Sequence, residues 1–291
     1  MPVSVDLVFT KAPTLLTIGL SILRGYRFSF DTTKPFPAIS ARRDGIKPDA
    51  SRLADFARIC GIKVGESLPF VYPLTYIYPL AQIMLARKEA PLSLMNTLNT
   101  RMQIIRYRPI GPDETCDVCC KLARHRVLEK GLEVDIACVL QIAGETVWES
   151  TITFYFRGRF GSPEANFAPP QLEAIPDAQE IARWLLPEGI GFAFAKLSGD
   201  GNPIHFWKFY AKMLGFSHDF AQPLLVLTKA LSYLDEKSSG GKAHLDIAFK
   251  GPAYYGRNAC LRMKENTQSE RFDIYSEGNS RPCICGDLQY G

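Results

Sequence analysis

Long apolar runs and a strong net charge are both missing from this sequence, and each absence excludes a class of protein. No stretch of about 18 uncharged apolar residues occurs, so we expect no membrane-spanning helix. The 34 basic and 30 acidic side chains leave a formal charge of only +4 over 291 residues. No basic stripe is interleaved with aromatic residues, so the sequence predicts no nucleic-acid partner.

The segment 12–23 comes nearest to a membrane or targeting segment. It is short and bounded by Lys11 and Arg24, and it lacks the basic start and small-residue cleavage pattern of a signal peptide. We interpret it as a helix docked on the protein surface. A cytoplasmic location is then the default expectation.

The eight cysteines raise the question of a metal site. Cys116, Cys119 and Cys120 look like half of a zinc knuckle, and Cys283-x-Cys285 offers a partner pair. A structural zinc site needs two well-spaced ligand pairs in turns, whereas Cys116 lies in an apolar, strand-like run. We therefore predict small, buried, reduced thiols and no metal.

The pattern of helices and strands predicts an internal repeat, with the same order of elements in both halves of the chain. In each half an apolar helix precedes several strands, and a Gly/Pro-rich linker at 161–170 separates the halves. The expected helices are 72–87 and 223–234; the expected strands are 99–107, 115–128, 132–142, 146–156, 243–249, 259–263, 272–276 and 282–288. This order predicts an α+β fold with two antiparallel sheets, each wrapped around a central helix.

The segment 199–205 concentrates unusual residue choices, since Asp200 and His205 flank a glycine and a proline. Such a composition forces an irregular loop, which can bring a carboxylate and an imidazole to one water molecule. Asp200 would accept a proton from that water, and His205 would orient it and later return a proton. An ordinary surface turn is the alternative interpretation of the same residues.

Residues 199–205 resemble the Gly-Asp-x-Asn-Pro-hydrophobic-His motif of the MaoC-like, hot-dog-fold hydratases and dehydratases. Residues 249–256 are similar to the strand and Lys-x-Pro pattern of that family, and 106–109 and 147–150 resemble its degenerate N-terminal half. The likeness spans about 60–291. It implies a double hot dog, with a degenerate hot dog and an N-terminal extension at 1–165 and a catalytic hot dog at 166–291.

The resemblance also implies a function. Asp200 and His205 become the catalytic pair, and Gly199, Asn202 and Gln222 become substrate-binding residues. The reaction would be (R)-specific hydration of trans-2-enoyl thioesters, or the reverse dehydration of 3-hydroxyacyl thioesters, a lyase reaction of fatty acid metabolism. It needs no cofactor and no metal, and its partner is a substrate carried on coenzyme A or on an acyl-carrier protein. A homodimer of such chains is one expected assembly, and a single pseudo-dimeric chain is the other.

The sequence departs from the family at the start of the second central helix. The family has His-Gly there and stabilises the thioester oxygen with a backbone N–H, whereas this chain has Gln222 and Pro223. In an ungapped alignment Pro223 takes the place of the family's glycine and has no N–H to donate. With one residue deleted, Gln222 takes that place and its backbone N–H is kept. A catalytically weak acyl-thioester-binding or scaffold protein is therefore the alternative function, ahead of a hot-dog thioesterase.

Overall fold

The computed structural model describes residues 4–25, 36–90, 92, 94, 97–164, 172–234, 241–265 and 269–291. Within these ranges eleven strands form one mixed sheet. The strands are β1 Ser4–Phe9, β2 Ala38–Ile46, β3 Thr97–Arg106, β4 Cys116–Leu128, β5 Gly131–Ile142, β6 Glu145–Arg157, β7 Gln179–Leu185, β8 Ala243–Phe249, β9 Asn258–Glu265, β10 Ser269–Ser276 and β11 Ile284–Tyr290. The helices are α1 Leu15–Gly25, α2 Ala50–Cys60, α3 Leu74–Leu85, α4 Gly191–Ser198, α5 Lys208–Met213 and α6 Pro223–Leu231.

The strand order shows that the two halves repeat one topology. It runs β1-β2-β4-β5-β6-β3-β8-β11-β10-β9-β7, so that β3-β6-β5-β4-β2 on one side matches β8-β11-β10-β9-β7 on the other. The halves join where β3 pairs with β8 in antiparallel fashion, with Ile104 opposite Leu245 and Met102 opposite Ile247. The predicted α+β double-hot-dog architecture is confirmed, and its two sheets are continuous through this β3–β8 seam. The proposed boundary at 165/166 lies outside the described residues.

The helix predicted at 72–87 is α3, and it lies at the centre of the first half. All twelve of its residues are buried, and it packs against β2 and β4. Burial of an entire helix surface requires apolar residues on every face, which explains why its sequence shows no polar stripe. Gln82 is the one amide side chain in this helix.

Strand β6, predicted at 146–156, alternates between buried and half-buried side chains over most of its length. Its residues Trp148, Ser150, Ile152, Phe154 and Phe156 all point into the protein and are buried. The turn that precedes it lies at 143–144, where Ala143 and Gly144 take the left-handed backbone conformation with φ of 50° and 82°. Two such residues are what a tight hairpin with right-handed strand twist requires.

The segment predicted as a docked surface helix forms α1, which contacts α3. Ile18 faces inward and is buried, whereas Leu16 is 73% exposed. Within the described ranges, no helix has both the length and the apolar character needed to cross a bilayer. All eight cysteines are free thiols, and seven are buried as predicted; Cys119 is exposed.

Candidate active site

One cavity of about 660 Å³ lies beside the join between the two halves. Its walls come from α1, α3, the start of β3, the loop that follows α4, the start of α6 and the loop that follows β8. Asp200, Asn202 and His205 all line it, together with Gln82 and Tyr78 from α3. The elements of both halves therefore contribute to a single chamber.

The loop that carries Asp200 and His205 has a fixed shape. Helix α4 ends at Ser198 and is capped by Gly199, which is left-handed with φ of 74°. A Cβ atom there would collide with the ring of Pro79 in α3, so this close approach also requires glycine. The side chain of Asn202 then caps the short 3-10 helix Pro203–His205 by accepting a hydrogen bond from the Ile204 N–H at 3.3 Å.

The carboxylate of Asp200 is held by one of its two oxygens. Its Oδ1 accepts hydrogen bonds from Gln82 Nε2 at 3.1 Å and from the Asn202 N–H at 3.2 Å. Gln82 also accepts a bond from the Gly201 N–H at 3.4 Å, so one amide side chain fixes both the carboxylate and its loop. The other oxygen, Oδ2, faces His205 Nε2 at 3.4 Å.

The hydrogen bonds of His205 define its tautomer. Its Nδ1 lies 2.9 Å from the carbonyl oxygen of Phe220. A carbonyl can only accept, so Nδ1 carries a proton; when this is the ring's only proton, Nε2 presents a lone pair. Two acceptors, Nε2 and Asp200 Oδ2, therefore face each other in a buried place. This arrangement suits a group with two O–H bonds, such as water, and can remove a proton from it.

The start of α6 forms another part of the site. Gln222 is the N-cap residue and Pro223 occupies the first turn. The Gln222 side chain donates to the Gly191 carbonyl at 3.0 Å and accepts from the Tyr255 hydroxyl at 2.9 Å, so it ties α4 to the segment before β9. The Gln222 backbone N–H lies beside the same Tyr255 hydroxyl.

The predicted site residues thus have different positions. Asp200, Asn202 and His205 converge on the cavity, whereas Gly199 and Gln222 are not among the residues that line it. Gln82 was missed at the sequence level. Its signal was a lone amide in an otherwise apolar helix, a residue that needs buried hydrogen-bond partners.

The comparisons with known proteins point in one direction. No family model matches the chain. Over 218 residues, which cover 75% of this chain and 77% of the relative, it is 25% identical to 3-hydroxyacyl-thioester dehydratase X of Mycobacterium tuberculosis.

Solved structures share the fold at low sequence identity. The crystal structure of HtdX from the same bacterium matches with a TM-score of 0.75 and 19% identity, over 87% of this chain and 100% of that one. A MaoC-like dehydratase from Phytophthora capsici matches with a TM-score of 0.73 and 17% identity, over 88% and 95%. A further Mycobacterium tuberculosis protein, described as a double hot dog, matches with a TM-score of 0.60 and 9% identity, over 86% and 94%.

Proposed function

We propose that this chain is a MaoC-like, hot-dog-fold hydratase or dehydratase that interconverts trans-2-enoyl thioesters and (R)-3-hydroxyacyl thioesters, a proposal that the 25% identical dehydratase relative and the shared fold support. The observation that carries the proposal is the pair of facing acceptors, Asp200 Oδ2 and His205 Nε2, in a mostly apolar cavity. The dehydratase relative is described as acting on 3-hydroxyacyl thioesters, which agrees with this chemistry. The acyl group is carried on coenzyme A or on an acyl-carrier protein.

In the hydration direction, the two O–H groups of a water molecule donate hydrogen bonds to Asp200 Oδ2 and His205 Nε2. Its oxygen forms a bond to the β-carbon of the enoyl thioester while one proton passes to the pair. The electron pair of the double bond moves toward the thioester oxygen, and the α-carbon then takes a proton back from the pair. Dehydration reverses each step.

The charge that develops on the thioester oxygen needs a donor. We assign this part to the N-terminal end of α6, where the Gln222 N–H is the last one before a proline that has none. The helix dipole adds a partial positive charge at the same end. In this assignment the Gln222 side chain fixes the helix start, and its neighbours Ala221 and Pro223 line the cavity on either side of it.

The test is a spectrophotometric assay of trans-2-enoyl-CoA hydration, which removes the conjugated enoyl absorbance. We expect wild-type turnover and its loss by at least about 100-fold in Asp200→Asn and His205→Ala, because general acid–base groups contribute factors of this size. His244 and Asp246 supply matched controls. They form a second His–Asp pair, with 3.7 Å between His244 Nε2 and Asp246 Oδ2, and neither residue lines the cavity. His244→Ala and Asp246→Asn should leave turnover unchanged. Equal activity in all four variants would contradict the site assignment.

An acyl-thioester-binding protein with weak or no turnover is the second candidate. The observation that favours it is Pro223 at the helix start together with a Gln222 that does not line the cavity. The same assay separates the two functions. Tight binding of saturated acyl-CoA without hydration at any chain length would support the binding protein.

The two halves of the chain have different parts in this proposed reaction. Residues 166–291 supply the reacting groups, and residues 1–165 supply a degenerate hot dog whose helix α3 supports them. A cytoplasmic location and assembly into a homodimer remain predictions.

A further inference from the structure

Exposed apolar side chains surround the mouth of the cavity. A residue that lines the cavity and is also exposed lies where the cavity opens to solvent. Four large apolar residues meet both conditions, and we call them the rim: Leu16 and Leu20 on α1, Leu98 on β3, and Trp207 just before α5. Single apolar residues are ordinary on a protein surface, whereas a group of them around one opening marks an interaction site.

Helix α1 has apolar residues on two sides. Its inner side packs on the loop that follows α4, since a Cβ atom on Gly201 would lie 3.1 Å from Leu15 Cδ2 and 4.0 Å from Ile18 Cγ2. Leu16 and Leu20 are one turn apart and are both exposed. A helix that is apolar on more than one side is normally buried, so the outer side of α1 is suited to contact with an apolar environment outside the chain.

Helix α5 continues the rim with exposed apolar and basic residues. The ring centroids of Trp207 and Phe209 are 6.3 Å apart, and Met213 follows Phe209 one turn later. Phe209 and Met213 are 63% and 68% exposed and do not line the cavity. They are flanked by the exposed Lys208 and Lys212, and we call these four residues the α5 face. Aromatic and apolar side chains mixed with lysines are typical of helices that lie on a membrane surface.

The charge of this region favours an anionic partner. Residues 189–218, all of which the structure describes, contain three lysines, and their one acidic residue, Asp200, is buried. Glu188 faces Lys208 at 3.8 Å, but both side chains are mostly exposed, so water screens this pair. A second copy of the chain would bring lysines against lysines. The charges therefore disfavour self-association through the α5 face.

We propose that the rim and the α5 face dock on an anionic lipid bilayer, so that the cavity opens at the membrane surface. The lysines lie at the level of the lipid headgroups, and the apolar side chains enter the acyl region. A long acyl chain, which itself partitions into a bilayer, then passes between the membrane and the cavity without crossing water. This docking does not depend on turnover, so it holds or fails independently of the proposed function.

An acidic protein would also match the lysines. It would have to cover apolar residues on α1, β3 and α5 at once, around an opening that it must leave clear for the acyl chain. A bilayer covers all of them and is itself an apolar phase that accepts the acyl chain. The arrangement of the rim around the mouth therefore favours the lipid surface.

The experiment mixes the full chain with vesicles of phosphatidylcholine, alone or with added phosphatidylglycerol, and measures binding by flotation. We expect binding to the anionic vesicles, weakened by added salt. Phe209→Ser and Met213→Ser should each weaken it about tenfold or more, and Lys212→Gln about fivefold. Matched controls are Val64→Ser and Lys63→Gln, an exposed apolar and basic pair in the loop after α2 that does not line the cavity; both should bind like the wild type.

Trp207 gives a direct signal of docking. Of the three tryptophans, Trp148 is buried and Trp184 is half-buried, whereas Trp207 is exposed. Tryptophan emission moves to shorter wavelength when the ring leaves water. We therefore expect this shift on anionic vesicles, and we expect Trp207→Phe to abolish it.

A wild-type protein that stays free of both kinds of vesicle would overturn the inference. Vesicle binding that is unchanged in Phe209→Ser and Met213→Ser would overturn it as well, because another surface would then carry the contact. The same holds if vesicles fail to bind while a purified acyl-carrier protein binds the wild type and not these variants, since the region would then dock a protein. Hydration of a short enoyl-CoA, measured in parallel without vesicles, reports on the proposed function alone.

Discussion

Replacing Gln82 by leucine removes the amide that orients Asp200 and changes the side-chain volume little. The hydrogen bond that is lost is buried, and it joins the uncharged donor Gln82 Nε2 to the carboxylate oxygen Asp200 Oδ1 at 3.1 Å. Hydrogen bonds to charged groups contribute about 1.5–3 kcal/mol. If that contribution is needed in the transition state, kcat should fall by roughly 10- to 150-fold at 1.36 kcal/mol per factor of ten.

The assay is enoyl-CoA hydration, followed together with the affinity for a saturated acyl-CoA. Gln82→Leu should lower kcat and leave that affinity within about twofold, because Gln82 positions the base and does not hold the acyl chain. Gln103→Leu is the matched control, since Gln103 donates to Asp246 at 2.7 Å on an exposed surface. Adding Gln82→Leu to Asp200→Asn should cost almost nothing further, because the two residues act as one unit. A wild-type kcat in Gln82→Leu, alongside an inactive Asp200→Asn, would refute the reasoning.

Three further outcomes are expected. Gly199→Ala forces a left-handed backbone on alanine and drives its methyl group into Pro79; the free energy of unfolding should fall by about 2 kcal/mol or more, measured by urea denaturation. Gly191→Ala places a methyl group against the backbone carbonyl of His205. The rise in the activation free energy of hydration should exceed the fall in the free energy of unfolding, and an unchanged kcat would show that the close contact between Gly191 and His205 does not matter for the reaction. Brief alkylation of the native protein should modify Cys119 first, because the other thiols are buried, and peptide mass spectrometry would reveal any other order.

Much of the fold was predictable because its elements carry their signals locally. Helix α3 is uniformly apolar, and β6 alternates at period two. The edge strand β7 was missed because most of its residues are exposed or only half-buried, so no alternation marks it. Strand β2 was missed because Arg42, Arg43 and Asp44 break its apolar pattern.

The site was predictable only in the part that lies in one segment of the chain. Asp200 and His205 are five residues apart and carry a motif, whereas Gln82 is 118 residues from its partner Asp200. No local pattern encodes a contact of that separation. The side-chain partners of Gln222 were hidden for the same reason, since Gly191 and Tyr255 lie 31 and 33 residues away.

The β3–β8 seam gives the two halves a property that separate subunits lack. Their encounter is intramolecular, so the support that α3 gives to Asp200 does not depend on protein concentration or on dissociation. A fragment containing only the second half would expose β8 as an open edge, prone to pair with other chains, and would leave Asp200 without Gln82. Dilution should therefore never separate Gln82 from Asp200, and only cleavage of the chain between the two halves can.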